Sequence, residues 1–277
     1  MKNQEVKKKK VSFWVMVVLL SLIFFFPLYY AFVNSLGSIY QQPSLFFKSI
    51  HFENYKYAVT LIPFFTYLKN SIIIVSIQVV MGVVLNFMYG YCFARLKARW
   101  KSVLFTITIS TMMIPGFAIS IPQYIMMSSL NIKDTFLIYV IFGLAGSSYT
   151  IFMFRQFLLT FPKEIEEAAI VDGDNYFSII WHFYLPMCKP IIAVVFFNSF
   201  LGAWGDYMTP FMYLSESKYP LAIALFNAKY SMPGNPQLKM TSVVLAAALL
   251  FMIPTIVVFF ICQKYLVSGT IEGSVKG

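Results

Sequence analysis

Six apolar runs divide this 277-residue chain, and most of its charge lies between them. The runs cover about 11–33, 70–94, 103–126, 135–158, 191–214 and 241–262. A helix needs about 20 residues to cross about 30 Å of hydrocarbon, and each run meets that length. The pattern predicts an all-α, polytopic membrane protein of six transmembrane helices. Residues 11–265 form one membrane domain, with tails at 1–10 and 266–277. Pro27 is expected to kink the first span. Residues 34–69 read as a loop with a short interfacial helix around 55–65. Met112-Met113-Ile114-Pro115-Gly116 and Pro122 are expected to bend or unwind the third span. Such a break is tolerated where it faces protein or a water-filled cavity, and a packing kink is the plainer alternative. In the fourth span, Gly143, Ala145, Gly146, Ser147 and Ser148 form a small-residue patch that lets another helix approach closely.

The polar stretch 160–190 separates the fourth and fifth runs, and its local chemistry predicts two short helices. Pro162 suits a first helical turn, and Glu164, Glu166 and Glu167 face the positive end of the helix dipole. Gly173 supplies the left-handed residue that ends this helix. Tyr176, Phe177, Ile180, Phe183 and Tyr184 then recur at spacings of three and four, so a second helix with one apolar face follows. Pro186 is expected to stop it. Ala168 and Ala169 read as a bare patch flanked by the charges of Glu167 and Asp172, onto which another protein's groove could close. The spacing alone fits an amphipathic helix in the headgroup layer equally well.

Charge orients the chain. With a cytoplasmic N-terminus, the inside segments carry Lys2, Lys7 to Lys10, Arg95, Lys97, Arg99, Lys101, Arg155, Lys163, Lys189, Lys264 and Lys276, which is 14 of the 21 Lys and Arg. The outside keeps Lys48, Lys56, Lys69, Lys133, Lys218, Lys229 and Lys239. That bias places both termini, and the Glu167 stretch, in the cytosol. A positive start before an apolar run also suggests a signal peptide, but the run is long and no small-residue cleavage site follows it.

Composition narrows the function. Hydrophobic residues are 59%, charged residues 12% and the mean hydropathy is +0.73, far from a soluble domain. The net charge of +10 is spread over loops with no basic stripe, which argues against nucleic acid. Cys92, Cys188 and Cys262 lack the close pairing of a metal site or disulfide framework. His51 and His182 fall in different loops on opposite expected sides, so the sequence offers no catalytic constellation and no metal site. It also has no G-x-x-x-x-G-K-[ST] phosphate loop, so any ATP is expected to be hydrolysed by another polypeptide. Asp206 is the one acid within a span, which makes it a functional candidate or an interfacial carboxylate.

Several motifs then meet in order: Glu167-Ala168-Ala169, Asp172-Gly173 three residues on, and Leu185-Pro186 twelve beyond that. With Asn70-Ser71, the 90–96 run, 112–116, Arg155-Gln156-Phe157, Trp204-Gly205-Asp206 and the closing 273–277, the chain resembles the ABC-importer permeases of the maltose type, specifically the smaller membrane subunit, with its MetI-like transmembrane domain and EAA loop. The resemblance implies a type I ABC importer permease fold with a cytoplasmic coupling helix, in a bacterial plasma membrane. It implies a second, non-identical permease, two ATPase subunits that bind the ATP and Mg, and an extracellular sugar-binding protein, with no cofactor in this chain. Glu164, Glu167, Ala168, Ala169, Asp172 and Gly173 are then the ATPase-coupling residues. Asn198, Trp204, Gly205, Asp206 and Tyr207 are the substrate-path residues, Gly205 standing where the family often has asparagine. The expected function is import of a carbohydrate, an oligosaccharide by expectation, by a subunit that is not itself an enzyme. Two alternatives stay open: an ion-coupled carrier working through Asp206, and a membrane scaffold that moves nothing.

Overall fold

The computed structural model describes residues 2–227, 230–232 and 235–274, and most of them are helical. In chain order the helices are α1 (Lys2–Ser35), α2 (Glu53–Thr60), α3 (Phe64–Val80), α4 (Asn86–Ala94), α5 (Lys101–Ser110), α6 (Gly116–Ser129), α7 (Leu137–Ala145) and α8 (Ser148–Leu158). There follow α9 (Glu164–Val171), α10 (Tyr176–Ile179), α11 (Leu185–Met187), α12 (Lys189–Trp204), α13 (Met208–Tyr213), α14 (Leu221–Asn227) and α15 (Thr241–Ser274). Among the described residues an antiparallel strand pair, β1 (Ser231–Met232) with β2 (Asn235–Lys239), interrupts the helices.

Three stretches, Lys10–Ser35, Phe64–Ala94 and Thr241–Leu266, are long and apolar enough to cross a membrane as single helices. Three more spans arise if each bent pair counts as one: Lys101–Met113 with Gly116–Ser129 (102°), Leu137–Ala145 with Ser148–Leu158 (46°), and Tyr176–Met187 with Lys189–Trp204 (80°). The expected count of six is therefore compatible with the structure. The expected break at 112–116 is also present, where α5 tightens into a 3-10 turn and Ile114 and Pro115 are extended. Helix α1 runs on through Pro27 as one element. The second span starts at Phe64 rather than Asn70, because the interfacial helix forms earlier, over Glu53–Thr60. The fifth span stops at Trp204. Gly205 N–H closes onto Leu201 O (3.1 Å), and the rest of the apolar run forms the separate α13.

The chain divides into two compact units. The first comprises Met1–Phe65 and Leu225–Ile253. Its core gathers Ala58, Tyr230, Met240, Val243, Ala246 and Ala247. The buried Asn54 amide donates to Ser35 O (2.7 Å) and Gly37 O (2.8 Å), satisfying carbonyls where α1 ends.

The second unit comprises Thr66–Ala224 and Pro254–Gly277. Helices α4 and α8 pack at very short range: a Cβ on Gly90 would stand 2.6 Å from Phe154 Cβ, so only glycine fits. One core, with Phe87, Tyr91, Phe154, Leu158, Ile179 and Tyr184, lies beside the 160–190 stretch. A second, with Ile74, Met127, Ile138, Tyr139, Tyr213 and Leu214, is built by α3, α6, α7 and the end of α13. There Asn70 Nδ2 donates to Ser217 O and Tyr219 O (both 3.1 Å), and Leu221 N–H donates to Ser71 Oγ (2.7 Å). The Asn70-Ser71 pair thus ties the 215–221 loop to α3.

Asp134, at φ +57°, accepts from Ser215 N–H (2.9 Å) and Ser215 Oγ (2.8 Å) and pairs with Lys218 Nζ (3.1 Å). The Ser215 bonds, backbone first, hold its carboxyl below the usual carboxylate range. A depressed pKa means the clamp is intact above the unfolded value of about 3.9 and is lost as pH falls through the lower folded value. Hydrogen exchange in 131–136 and 213–218 should therefore stay slow at neutral pH and rise in acid. Asp134→Asn should raise it at neutral pH, and equal protection in the variant would remove the clamp's role.

Candidate functional site

The 160–190 stretch builds its first helix as its residue types dictate. Three acids occupy the first turn of α9, where unpaired N–H groups and the dipole favour negative charge. The end is a Schellman closure: Gly173 N–H donates to Ile170 O (3.1 Å) and Asp174 N–H donates to Ala169 O (2.9 Å). Gly173 sits at φ +93° with nothing within 4 Å of where a Cβ would be, so the backbone angle alone selects glycine. Asn175 then caps α10, its Oδ1 accepting from Ser178 N–H (2.9 Å).

Helical period sorts α9 into two faces. Glu164, Glu167, Ala168, Val171 and Asp172 are exposed and form one stripe. Glu166 and Ala169 are buried. The expected bare patch of two alanines is therefore corrected: Ala168 faces out, while Ala169 belongs to the core with Leu158 and Tyr184. The outward stripe offers an acid at both ends and an apolar centre, with Val171 86% exposed.

Inward, Glu166 fixes the helix. Its Oε1 accepts from Tyr91 Oη (3.3 Å) and its Oε2 from Tyr184 Oη (3.1 Å). The two tyrosine rings meet edge to face at 5.4 Å. Arg95 stands beside them, its Cζ 5.2 Å over the Tyr184 ring, and its Nη2 donates to Leu158 O (2.5 Å) and Phe161 O (2.8 Å). The carboxylate bolts α9 to α4 and to the following helical segment, and the guanidinium satisfies carbonyls where α8 ends. Glu166 was not among the expected coupling residues. Helical spacing did not single it out, because Ala169, three residues on and on the same buried face, was itself expected to face outward.

The second helix departs from its expected single apolar face. Ile179, Ile180 and Tyr184 are buried, but Tyr176, Phe177 and Trp181 are exposed, at 54%, 72% and 63%. Pro186 does not stop it either. Residues 180–184 form a π-turn, with Leu185 N–H donating to Ile180 O, and α11 continues through Pro186 to Met187. The hydrogen-bond frame has already shifted by one residue there, so the missing proline N–H falls at a seam, and the chain turns by 80° into α12.

A cavity of about 410 Å³ lies within the second unit, lined among others by Gln78, Asn86, Tyr139, Asn198, Ser199 and Asp206. Asn86 organises it: Nδ2 donates to Gly82 O (2.7 Å) in the π-turn 81–85, and Oδ1 accepts from Ser147 N–H (2.7 Å) at the break between α7 and α8. The small-residue patch lets its neighbour approach closely as expected, since Gly143 lies against Met81, and Gly143, Gly146 and Ser147 also line the cavity. The buried Tyr139 hydroxyl has no partner among the described residues. Of the five expected substrate-path residues, only Asn198 and Asp206 line the cavity. Asp206 lies in the break after α12, not inside a helix, and its Oδ1 accepts from Thr209 N–H (3.1 Å). Trp204 is buried and stacks on Phe200 (5.7 Å, 10°), Gly205 is exposed where α12 ends, and Tyr207 stacks on Phe211 (5.6 Å, 15°).

His182 Nδ1 is 3.1 Å from Ser178 Oγ within its own helix. No cluster of three metal-ligating side chains occurs among the described residues.

Residues 78–272 match the family described as "Binding-protein-dependent transport system inner membrane component". Among curated proteins, the chain is 27% identical over 276 residues to the Inner membrane ABC transporter permease protein YcjP of Escherichia coli K12, covering 97% of both chains. It is 29% identical over 258 residues to the Melibiose/raffinose/stachyose import permease protein MelC of Bacillus subtilis 168, covering 91% of this chain and 92% of that one. A solved chain from a bacterial ABC transporter involved in the import of the acidic polysaccharide alginate superposes with a TM-score of 0.83 at 24% identity, over 94% of this chain and 97% of that chain.

Proposed function

This chain belongs to the family of inner membrane components of binding-protein-dependent transport systems, and we propose that it is the smaller permease of an ABC importer that carries an oligosaccharide into a bacterial cell. The observation that carries this reading is the two-faced helix α9: an exposed stripe of acids around Ala168 and Val171 whose opposite face is bolted through Glu166 to the membrane helices. A cytosolic ATPase groove with cations and an apolar seat complements that stripe. ATP and Mg belong to two such ATPases, and this chain performs no catalysis of its own. A second, different permease completes the pore, and an extracellular binding protein delivers the sugar. Both termini and α9 lie in the cytosol, as the distribution of Lys and Arg supports.

In this reading ATP closes the two ATPases, the docked helices follow, and α4 and α8 move with α9 because Tyr91, Arg95 and Gly90 hold them together. Only the difference in ATP affinity between open and closed pairs drives the change. Asn198, Asp206 and Tyr139 offer a sugar rim an amide, a carboxylate and a hydroxyl. The names of MelC and of the starch-product permease AmyC, which is 25% identical, favour an oligosaccharide. Asp206→Asn should weaken solute affinity by about tenfold, the effect of losing one hydrogen bond to a charged acceptor, while ATPase retention stays intact. Wild-type uptake would confine Asp206 to its turn with Thr209.

A further inference from the structure

We infer that the basic end of the α4–α5 corner, formed by Lys97, Arg99, Lys101, Arg155 and Lys163, binds the phosphate of an anionic phospholipid headgroup. This inference rests on the membrane reading of the chain and not on what it transports. Arg95, the first cation of this turn, is spent inward on Leu158 and Phe161. The others are not. Lys97, Arg99 and Lys163 are exposed, and Lys101 Nζ donates only to Leu96 O (2.8 Å). The guanidinium of Arg155 lies 4.0 Å over the Phe105 ring and gives its Nε hydrogen to Phe93 O (3.3 Å), which leaves both Nη groups for an external acceptor.

These cations converge without compensation. Burial first, and then the charges of Arg155 and Lys163, disfavour the Lys101 ammonium, while Arg155 reaches both α4 and α5 through Phe93 and Phe105. Among the described residues the ion pairs are His51–Glu53 and Lys218–Asp134, so none of the five has a carboxylate partner, Glu164 beside Lys163 included. Like charges gathered at a membrane surface are stabilised by an anion.

The surroundings select a lipid over a free anion. Trp100, 62% exposed, sits among the cations between Arg99 and Lys101 in the chain, with Arg99 Cζ 5.6 Å from its ring. Tryptophan in that position marks the headgroup level. Val103 and Leu104, 51% and 53% exposed, continue the surface along α5, where an acyl chain would lie.

The test is native mass spectrometry of the assembled transporter, released from membranes containing phosphatidylglycerol and phosphatidylcholine in equal amounts. Phosphatidylglycerol should be retained preferentially. Lys101→Gln should lower that preference about fivefold, the effect of one cation near an anionic surface. The exposed double variant Lys97→Gln/Arg99→Gln should lower it further and gives the same reading if Lys101→Gln fails to assemble. Equal retention of the two lipids, or an undiminished preference in these variants, would overturn the inference. Displacement of the lipid by millimolar inorganic phosphate would also overturn it, by assigning the site to a soluble anion.

Discussion

Replacing Gly173 with valine should leave the chain in the membrane but separate ATP hydrolysis from solute uptake. The residue stands at φ +93°, where an L-residue costs about 1–2 kcal/mol and a β-branched one more. Because nothing lies within 4 Å of the Cβ position, an added Cβ meets no clash, and the effect is assigned to the backbone angle. To escape the strain, the turn must give up the bonds from Gly173 N–H and Asp174 N–H that close α9. The helix then ends earlier, and Asp172 leaves the exposed stripe. Gly173→Asn should be the mildest substitution, Gly173→Ala intermediate and Gly173→Val the most severe, read as solute taken up per ATP hydrolysed. Equal coupling ratios in all three would show that the docking helix does not depend on this closure.

The second large effect is expected at Glu166. Truncation to alanine leaves the buried Tyr91 and Tyr184 hydroxyls without their acceptor, at about 1–3 kcal/mol each. Glu166→Ala should lower the thermal stability of the purified chain and weaken coupling together, because the bolt between α9 and α4 is removed. Glu166→Gln keeps the shape and one acceptor oxygen, so it should fall between alanine and wild type. Glu167→Ala, on the exposed face, should leave stability unchanged and lower ATPase retention alone. If Glu166→Ala and Glu167→Ala behave alike in a thermal melt, the assignment of the two faces is wrong.

These two residues mark what the sequence could reveal. Gly173 was readable because three acids in the first turn of a helix and a glycine just past its end are both local signals. Glu166 was not, since three acids in one turn look alike and the partner that buries one of them, Tyr91, lies 75 residues away. Apolar runs predicted the spans, but hydropathy does not register where a helix closes. The fifth run stays apolar through Leu214 although α12 ends at Trp204. The aromatic residues were ambiguous for the same reason. Trp204 and Tyr207 have the surfaces a sugar needs, yet each stacks on a neighbouring ring, Phe200 and Phe211. Tyr139 carries no local signal in the sequence, and the fold places it at a cavity with Asp206. The π-turns at 81–85 and 180–184 have no sequence signature, and the second carries the helix past Pro186.

The central claim is that this chain is a gate driven through α9 by a separate ATPase. Solute uptake into liposomes tests it most directly, comparing the full chain alone, under a pH gradient, with the assembled transporter supplied with ATP and binding protein. Uptake should require the ATPase subunits and ATP, and should be lost in the charge-reversing variant Glu167→Lys. Accumulation by the chain alone, driven by the proton gradient, would contradict it.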